Sequence, residues 1–259
     1  MNVAWQIVKK SLLIISENLS DALRLTGGLF ILTIFASSAI NVMFTGGLLP
    51  PSVDLTGIDI SAGDPIQLPE GLIQSSILNG ALFFFAFSWL TVSWHRYILQ
   101  GEIPQSLLPV WNAKRVLSYM WRSVVVVLCV LLIAMGVSLV ASLVLAIIGL
   151  GMLSTIITLL AFYYFLLRFG LALPACALDS TMPLPQSFAQ TKPLETHLIG
   201  VACIQVFLMT AISLISSLAA PNNVIGVLIF AGFQWIGILI SASILTTLYG
   251  HVVEGRALK

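Results

Sequence analysis

A chain of 259 residues that is 59% hydrophobic and only 8% charged, with a mean hydropathy of +1.06, cannot cover a soluble globule, whose domains carry about 25% charged residues. The net charge of +1 comes without a basic tract, which removes nucleic acid as a partner. Cys129, Cys176 and Cys203 lie in apolar segments without CxxC or Cys/His spacing, so they read as small packing residues and not as disulfide or metal ligands. The composition predicts an all-α polytopic membrane bundle forming one membrane domain over residues 1–259.

Residues 2–18 do not read as a signal peptide, because Lys9 and Lys10 interrupt the apolar part and no small-residue cleavage site follows. Ala4, Val8, Leu12, Ile15 and Leu19 recur at helical spacing opposite Gln6, Lys9, Lys10 and Glu17. That pattern predicts an amphipathic helix over 1–19 lying in the membrane interface, anchored by Trp5. Ser20 and Asp21 begin the next helix, and Leu25 to Phe44 is long enough to span. Residues 45–70 form a long polar outer loop with Asp54, Asp59, Asp64 and Glu70 and no lysine or arginine. Its spacing does not match a calcium loop, so a solvated acidic loop is expected.

A second span runs from Leu72 to Trp94, His95, Arg96 and Tyr97, an aromatic and cationic cluster of interfacial type. The segment Val110 to Ser123 alternates polar Asn112, Arg115, Ser118 and Arg122 with apolar positions and predicts a second interfacial helix. Beyond it the apolar run exceeds one span of about 20 residues. A turn at Gly149-Leu-Gly151 divides it into span three (Val124 to Ile148) and span four (Met152 to Leu173). Ala134, Ser138, Ser142 and Ala146 place small residues at every fourth position of span three, a pattern that lets a neighbouring helix approach closely. Asp179 to Glu195 is a polar connector with room for a short helix capped by Ser187. Span five runs from His197 to Ala220, Pro221-Asn222-Asn223 turns, and span six runs from Val224 to about Gly250.

The eleven lysines and arginines test this map. All fall before span one, at connections 2–3 and 4–5, or in the C-terminal tail, and none in connections 1–2, 3–4 or 5–6. The positive-inside rule then predicts six spans with both termini cytoplasmic and, for a bacterial chain, the inner membrane. Each inward span ends in a polar cluster: His95 and Arg96, then Arg168, then His251 with Glu254 and Arg256. A threefold repeat of helical hairpins is one reading of that layout; the other is the ordinary alternation of any six-span protein.

The stretch Ala161 to Asp179 carries Arg168 in an apolar run and Pro174 six residues later. Arg168 is expected to snorkel to the headgroups, and Pro174 to kink the helix so that it continues along the interface to Asp179. Arg168-Phe-Gly-Leu-Ala-Leu-Pro-Ala-Cys-Ala-Leu-Asp179 resembles the pattern Arg-x-x-Leu-Ala-x-Pro-Ala of poorly characterised six-span bacterial membrane proteins, which include the membrane domain preceding some glycerophosphodiester phosphodiesterases. Trp94-His-Arg-Tyr-Ile-Leu-Gln-Gly-Glu102 is similar to a motif in polytopic alphaproteobacterial proteins. The resemblance implies the membrane architecture. It transfers no active site, since the nine residues after Gly250 are expected to form a short tail where the phosphodiesterases carry their catalytic domain.

No P-loop, GxSxG or HExxH is present, and Gly149-Leu-Gly151 lacks the third glycine of a dinucleotide loop. His95 is expected to anchor at the interface in preference to acid–base or ligand chemistry. His251 and Glu254 have the spacing of a pair without a third ligand, so a cap is expected there. The candidate headgroup cluster is therefore Trp94, His95, Arg96, Arg168, Asp179, His251, Glu254 and Arg256. Asn41, Asn79, Gln205 and Gln234 are the candidate intramembrane polar residues and must find partners between helices. No Asp, Glu or Lys lies at mid-span, where coupled transporters usually place one. The sequence points to a non-enzymatic membrane protein, without cofactor, that binds the bilayer and anionic phospholipid and organises partner membrane proteins or further copies of itself. The alternative is a transporter or channel for a small or amphipathic solute.

Overall fold

In lipid every backbone N–H and C=O must be satisfied within the chain, so long apolar runs become helices. The computed structural model describes residues 2–49, 68–103, 108–151, 153–218 and 224–258, which form helices and no strand. The acids of the outer loop at 54, 59 and 64, the turn at 221–223 and Met152 lie outside the described residues. Among the described residues five helical segments are long and apolar enough to cross a membrane: Leu19–Thr45, Leu72–Gln100, Ala113–Ile147, Lys192–Leu218 and Ile225–Val252. This is the make-up of a multi-pass membrane protein.

Helix α1 (Val3–Glu17) starts at Asn2, whose side chain accepts a hydrogen bond from the Ala4 N–H at 3.0 Å. Its apolar stripe was expected to face lipid. Instead Ala4, Ile7, Val8 and Ser11 are buried against α9 (Glu195–Leu218) and α10 (Val224–Val252), while Trp5 remains exposed. A close approach at one point helps explain the difference: Ala4 lets the α9 backbone come near at Gly200, where an added Cβ would sit 3.0 Å from the Ala4 Cβ.

The short helix α2 (Leu19–Ala22) passes through a π-helical turn at Leu23–Gly27 into α3 (Gly28–Thr45). Buried Thr26 sits in that turn; its hydroxyl donates to the Ala22 carbonyl at 2.6 Å and accepts from the Trp235 indole N–H at 2.8 Å. Helix α4 (Leu72–Gln100) returns alongside α3. At its start Gly71 has φ +75°, and a Cβ there would lie 1.8 Å from the Phe44 carbonyl oxygen, so only glycine fits.

Helix α5 (Ala113–Ile147) is continuous over 35 residues, about 52 Å at 1.5 Å per residue. The expected second interfacial helix is therefore its N-terminal part, with Asn112 as N-cap accepting from the Arg115 N–H at 3.1 Å. The Gly149 turn (φ +73°) separates α5 from α6 (Leu153–Phe169), and the two pack together. The small-residue stripe is used only at its start: Ala134 is buried, whereas Ser142 and Ala146 are exposed.

Helix α6 ends one turn before Pro174, and α7 (Ala172–Ala177) begins beyond a break at Gly170-Leu171. A continuous helix would press the proline ring against the carbonyl four residues back, that of Gly170, and the chain avoids this by breaking there. Helix α7 closes with the Ser180 N–H on the Ala175 carbonyl at 2.9 Å and the Asp179 N–H on that of Cys176 at 3.1 Å. Asp179 stands at φ +61° in the left-handed position that usually takes glycine. Helix α8 (Leu184–Gln190) and a 3-10 turn (Lys192–Leu194) lead into α9.

Helix α10 is the common wall. Ile240, Ile244, Leu245 and Leu248 join the core around α1, α6, α7 and α9. Trp235, Leu239 and Ala242 join a second core with Leu25, Leu29, Phe30, Leu90 and Trp94. The segments leading into α3, α5 and α9 differ: a 15-residue helix packed on the bundle, the first part of α5, and a 7-residue helix.

Candidate functional site

Helix α10 carries Ser243, Thr246 and Thr247 on one face, and these hydroxyls receive the polar groups of α4 and α1. The Trp94 indole N–H donates to Ser243 Oγ at 2.9 Å, Ser11 Oγ lies 3.0 Å from Thr247 Oγ1, and His95 Nδ1 lies 2.7 Å from Thr246 Oγ1. Because the Thr246 hydroxyl already donates to the Ala242 carbonyl at 2.7 Å, it accepts from His95, which fixes the proton on Nδ1. His95 Nε2 then faces the Tyr119 hydroxyl at 3.5 Å. Trp94 and His95 are both fully buried, so neither anchors at headgroups as expected. They are interhelical ties, and neither ring nitrogen of the histidine is open for chemistry.

Arg96 and Arg256, at the same end of the bundle, share one task. The last carbonyls of a helix have no intrahelical partner, and the dipole makes them attractive to positive charge. Arg256 donates from Nη1 to the Ile98 carbonyl at 3.2 Å and from Nη2 to that of Leu99 at 2.6 Å, closing α4. Arg96 donates to the Ala177 carbonyl at 3.1 Å, closing α7, and pairs with Glu102 and with Asp179 at 3.4 Å. Arg115 grips Asp179 with both edges, Nε to Oδ1 at 2.9 Å and Nη2 to Oδ2 at 2.7 Å. The Arg115 hydrogen bonds hold the Asp179 carboxyl below its usual 3.8, against the opposing effect of burial. Tyr97 ties α4 to the α1–α2 junction, its hydroxyl 2.9 Å from Asn18 Oδ1 and 2.6 Å from Asp21 Oδ2.

Arg168 differs most from expectation. It is 1% exposed and does not snorkel, because α8 folds over it. Its guanidinium lies 3.9 Å from the Phe188 ring centroid. It donates to the Phe188 carbonyl at 3.0 Å and the Tyr164 hydroxyl at 3.2 Å, and lies 3.4 Å from Glu195. Ser187, read as a cap for the connector helix, sits inside α8 and donates to the Arg168 carbonyl at 2.8 Å. The connector thus closes α6 with a hydroxyl while α6 closes the connector with an arginine.

His251 and Glu254 do not pair with each other: His251 Nδ1 lies 3.0 Å from the Arg256 carbonyl, and Glu254 meets Arg256 Nε at 2.6 Å. Among the intramembrane amides, Asn79 donates to Asn41 at 2.9 Å between α3 and α4, and Gln205 donates to Ser241 at 3.4 Å between α9 and α10. Gln234 is half-buried on α10 and joins neither pair. Among the described residues no group of three or more His, Cys, Asp or Glu is arranged to hold a metal ion. The site residues that sequence reasoning missed are Ser243, Thr246 and Thr247, whose signal was hydroxyls at i, i+3 and i+4 in an apolar run; Ser187 was singled out, but as a cap and not as the partner of the Arg168 carbonyl.

Two larger spaces flank this framework. One, about 560 Å³, lies between α1, the end of α4, α10 and the tail. The other, about 530 Å³, is an apolar groove between α5 and α6 lined by Gly136, Val137, Val140, Ala141, Val144 and Ile157 among others. No protein-family model, curated protein or solved structure matches the chain.

Proposed function

We propose that this chain is a non-enzymatic, six-span protein of the bacterial inner membrane that organises partner membrane proteins or lipids around its outer apolar faces. The spans are α2–α3, α4, α5, α6, α9 and α10, paired as three hairpins. Both termini are cytoplasmic, because every lysine and arginine falls outside connections 1–2, 3–4 and 5–6. The resemblance of the Arg168 to Asp179 stretch to six-span bacterial membrane proteins agrees with this reading.

The observation that carries it is the contrast along α5. Val116, Tyr119, Ser123, Val126, Val130 and Ala134 are buried within the chain, while Leu132, Met135, Leu139, Leu143 and Ile147 are each at least 62% exposed. Arg96, Arg115, Arg168 and Arg256, near the opposite end, are occupied by helix ends and acids. What remains to offer a partner is an apolar surface with a groove, the kind of face on which membrane helices associate through close packing. Purification in mild detergent tests this: a second membrane protein co-purifies in stoichiometric amount with the wild type and is lost with Gly136→Leu/Ala141→Leu. A chain that purifies alone and supports solute flux in proteoliposomes is a transporter instead. Gly57→Cys labelled from outside and Ala257→Cys from inside are the outcomes expected of the topology; labelling from one common side overturns it.

A further inference from the structure

Two cations in the first three turns of α5 are absorbed by none of the roles above. Among the described residues Lys114 and Arg122 make no hydrogen bond or ion pair. Lys114 acts on Asp179 only through space, and that carboxylate is already gripped by Arg115 and met by Arg96, which also pairs with Glu102. Arg96 and Arg115 therefore balance Glu102 and Asp179, and Lys114 and Arg122 give this end of α5 its surplus positive charge. Lys114, Ser118 and Arg122 recur at every fourth residue, so they follow one line of the helix at steps of about 6 Å. That line lies away from the buried Val116, Tyr119 and Ser123. Beside it stand Leu117 and Trp121, 57% and 71% exposed. From Val124 to Ile148 no residue is charged. At about 1.5 Å per residue this run is about 37 Å long, enough to cross a hydrocarbon layer roughly 30 Å thick. Trp121 and Arg122 thus stand at its edge, the level at which tryptophan and cationic side chains meet lipid headgroups.

We propose that Lys114, Ser118 and Arg122 form a docking surface for the headgroup of an anionic phospholipid of the surrounding bilayer, with Leu117 and Trp121 covering the lipid below its phosphate. This rests on the lipid-binding side of the function above and names its site. Arg122 presents a planar guanidinium to two phosphate oxygens, and Lys114 adds a second charge on a flexible stem. The Ser118 hydroxyl lies between them, 3.3 Å from Cys176 Sγ. Surplus positive charge selects an anionic headgroup over a zwitterionic one, and the exposed indole selects a lipid over a free anion, because only a lipid brings apolar surface to cover it.

Native mass spectrometry of the full chain in neutral detergent, titrated with phosphatidylglycerol or phosphatidylcholine, tests the surface. Phosphatidylglycerol binds preferentially to the wild type. Lys114→Gln and Arg122→Gln each weaken it about fivefold, the effect of one cation at an anionic headgroup. Lys9→Gln removes the same charge from an exposed position on α1 and changes binding less than twofold. Trp121→Ala reduces binding with both cations intact, and inorganic phosphate does not displace the lipid. All four substitutions leave the melting temperature at the wild-type value, so a loss of binding is not a loss of fold. Equal binding of the two lipids by the wild type, equal losses for Lys9→Gln and Lys114→Gln, binding unaffected by Lys114→Gln and Arg122→Gln, or displacement by inorganic phosphate overturns the proposal. Gly136→Leu/Ala141→Leu, which tests the organising role, keeps the preference for phosphatidylglycerol, so failure of the docking surface and failure of that role are distinguishable.

Discussion

The end of the bundle that carries Arg96, Arg168 and Arg256 and the far end of the α5–α6 hairpin are built on opposite principles. At the first, Arg96, Arg168 and Arg256 each terminate on a helix carbonyl, and Asp179 gathers Arg96 and Arg115. At the second, Leu143, Ile147 and Ile148 stand exposed around a single glycine turn. Directional bonds fix which helix meets which and in what register at the charged end. Apolar contact at the other carries no such direction. Specificity of the fold is thus concentrated where the helices end, and the proposed association surface lies where they do not touch.

Substitutions that break this contrast should differ sharply in cost. The largest loss is expected for Arg168→Ala, about 3 kcal/mol or more by denaturant unfolding in detergent, because the Phe188 carbonyl and Glu195 lose their buried partner. Arg168→Lys recovers little of it, since an ammonium cannot both stack on Phe188 and span its acceptors. Next is Ala134→Leu, which overfills the buried part of the α5 stripe at about 1–3 kcal/mol; the same change at exposed Ala146 should lie within about 0.5 kcal/mol of wild type. Trp94→Phe keeps the ring but strands Ser243 and costs about 1 kcal/mol, visible as a lowered melting temperature.

The smallest effect is expected from pH. The Asp179 carboxyl is depressed in the folded chain, so its bond to Arg115 adds stability that is complete above the unfolded value near 3.8 and lost as pH falls through the lower folded value. Asp179 is more than half exposed, which limits the contribution to under about 1 kcal/mol. Asp179→Asn should abolish that acid-dependent component while tolerating the left-handed backbone. An unchanged acid transition in Asp179→Asn would show that another carboxylate governs it.

Hydropathy and turn chemistry made the helices legible: the hairpin of α3 and α4, the Gly149 turn and the start of α10 stand where apolar length and glycine placed them. The sequence pattern could not say what an amphipathic stripe faces. The stripe on α1 meets α9 and α10 instead of lipid, and the stripe after Asn112 belongs to one continuous helix. Arg168 was misread for the same reason: its burial depends on α8 folding back over it through Ser187, a contact made across 19 residues of chain that no local period encodes. The headgroup cluster was found as residue types at one end of the bundle, but its members proved to be tied to helix ends and to one another. Asn41 with Asn79 was anticipated as a kind of pairing, though not as that pair.

The π-helical turn at Leu23–Gly27 has an evolutionary corollary. It holds one residue more than a regular turn, so it stores a single-residue insertion without interrupting the rod. Deleting one residue between Ala22 and Gly28 would return it to ordinary pitch with the segments on either side near their present facing, because the wider turn had absorbed the extra residue. Such a shortened sibling could keep its hairpins, the seat of α1 and the Tyr97 latch, and would lose only the local geometry that sets Thr26 against the Trp235 indole. A one-residue shortening here should therefore be accompanied by compensating changes at Thr26 and Trp235.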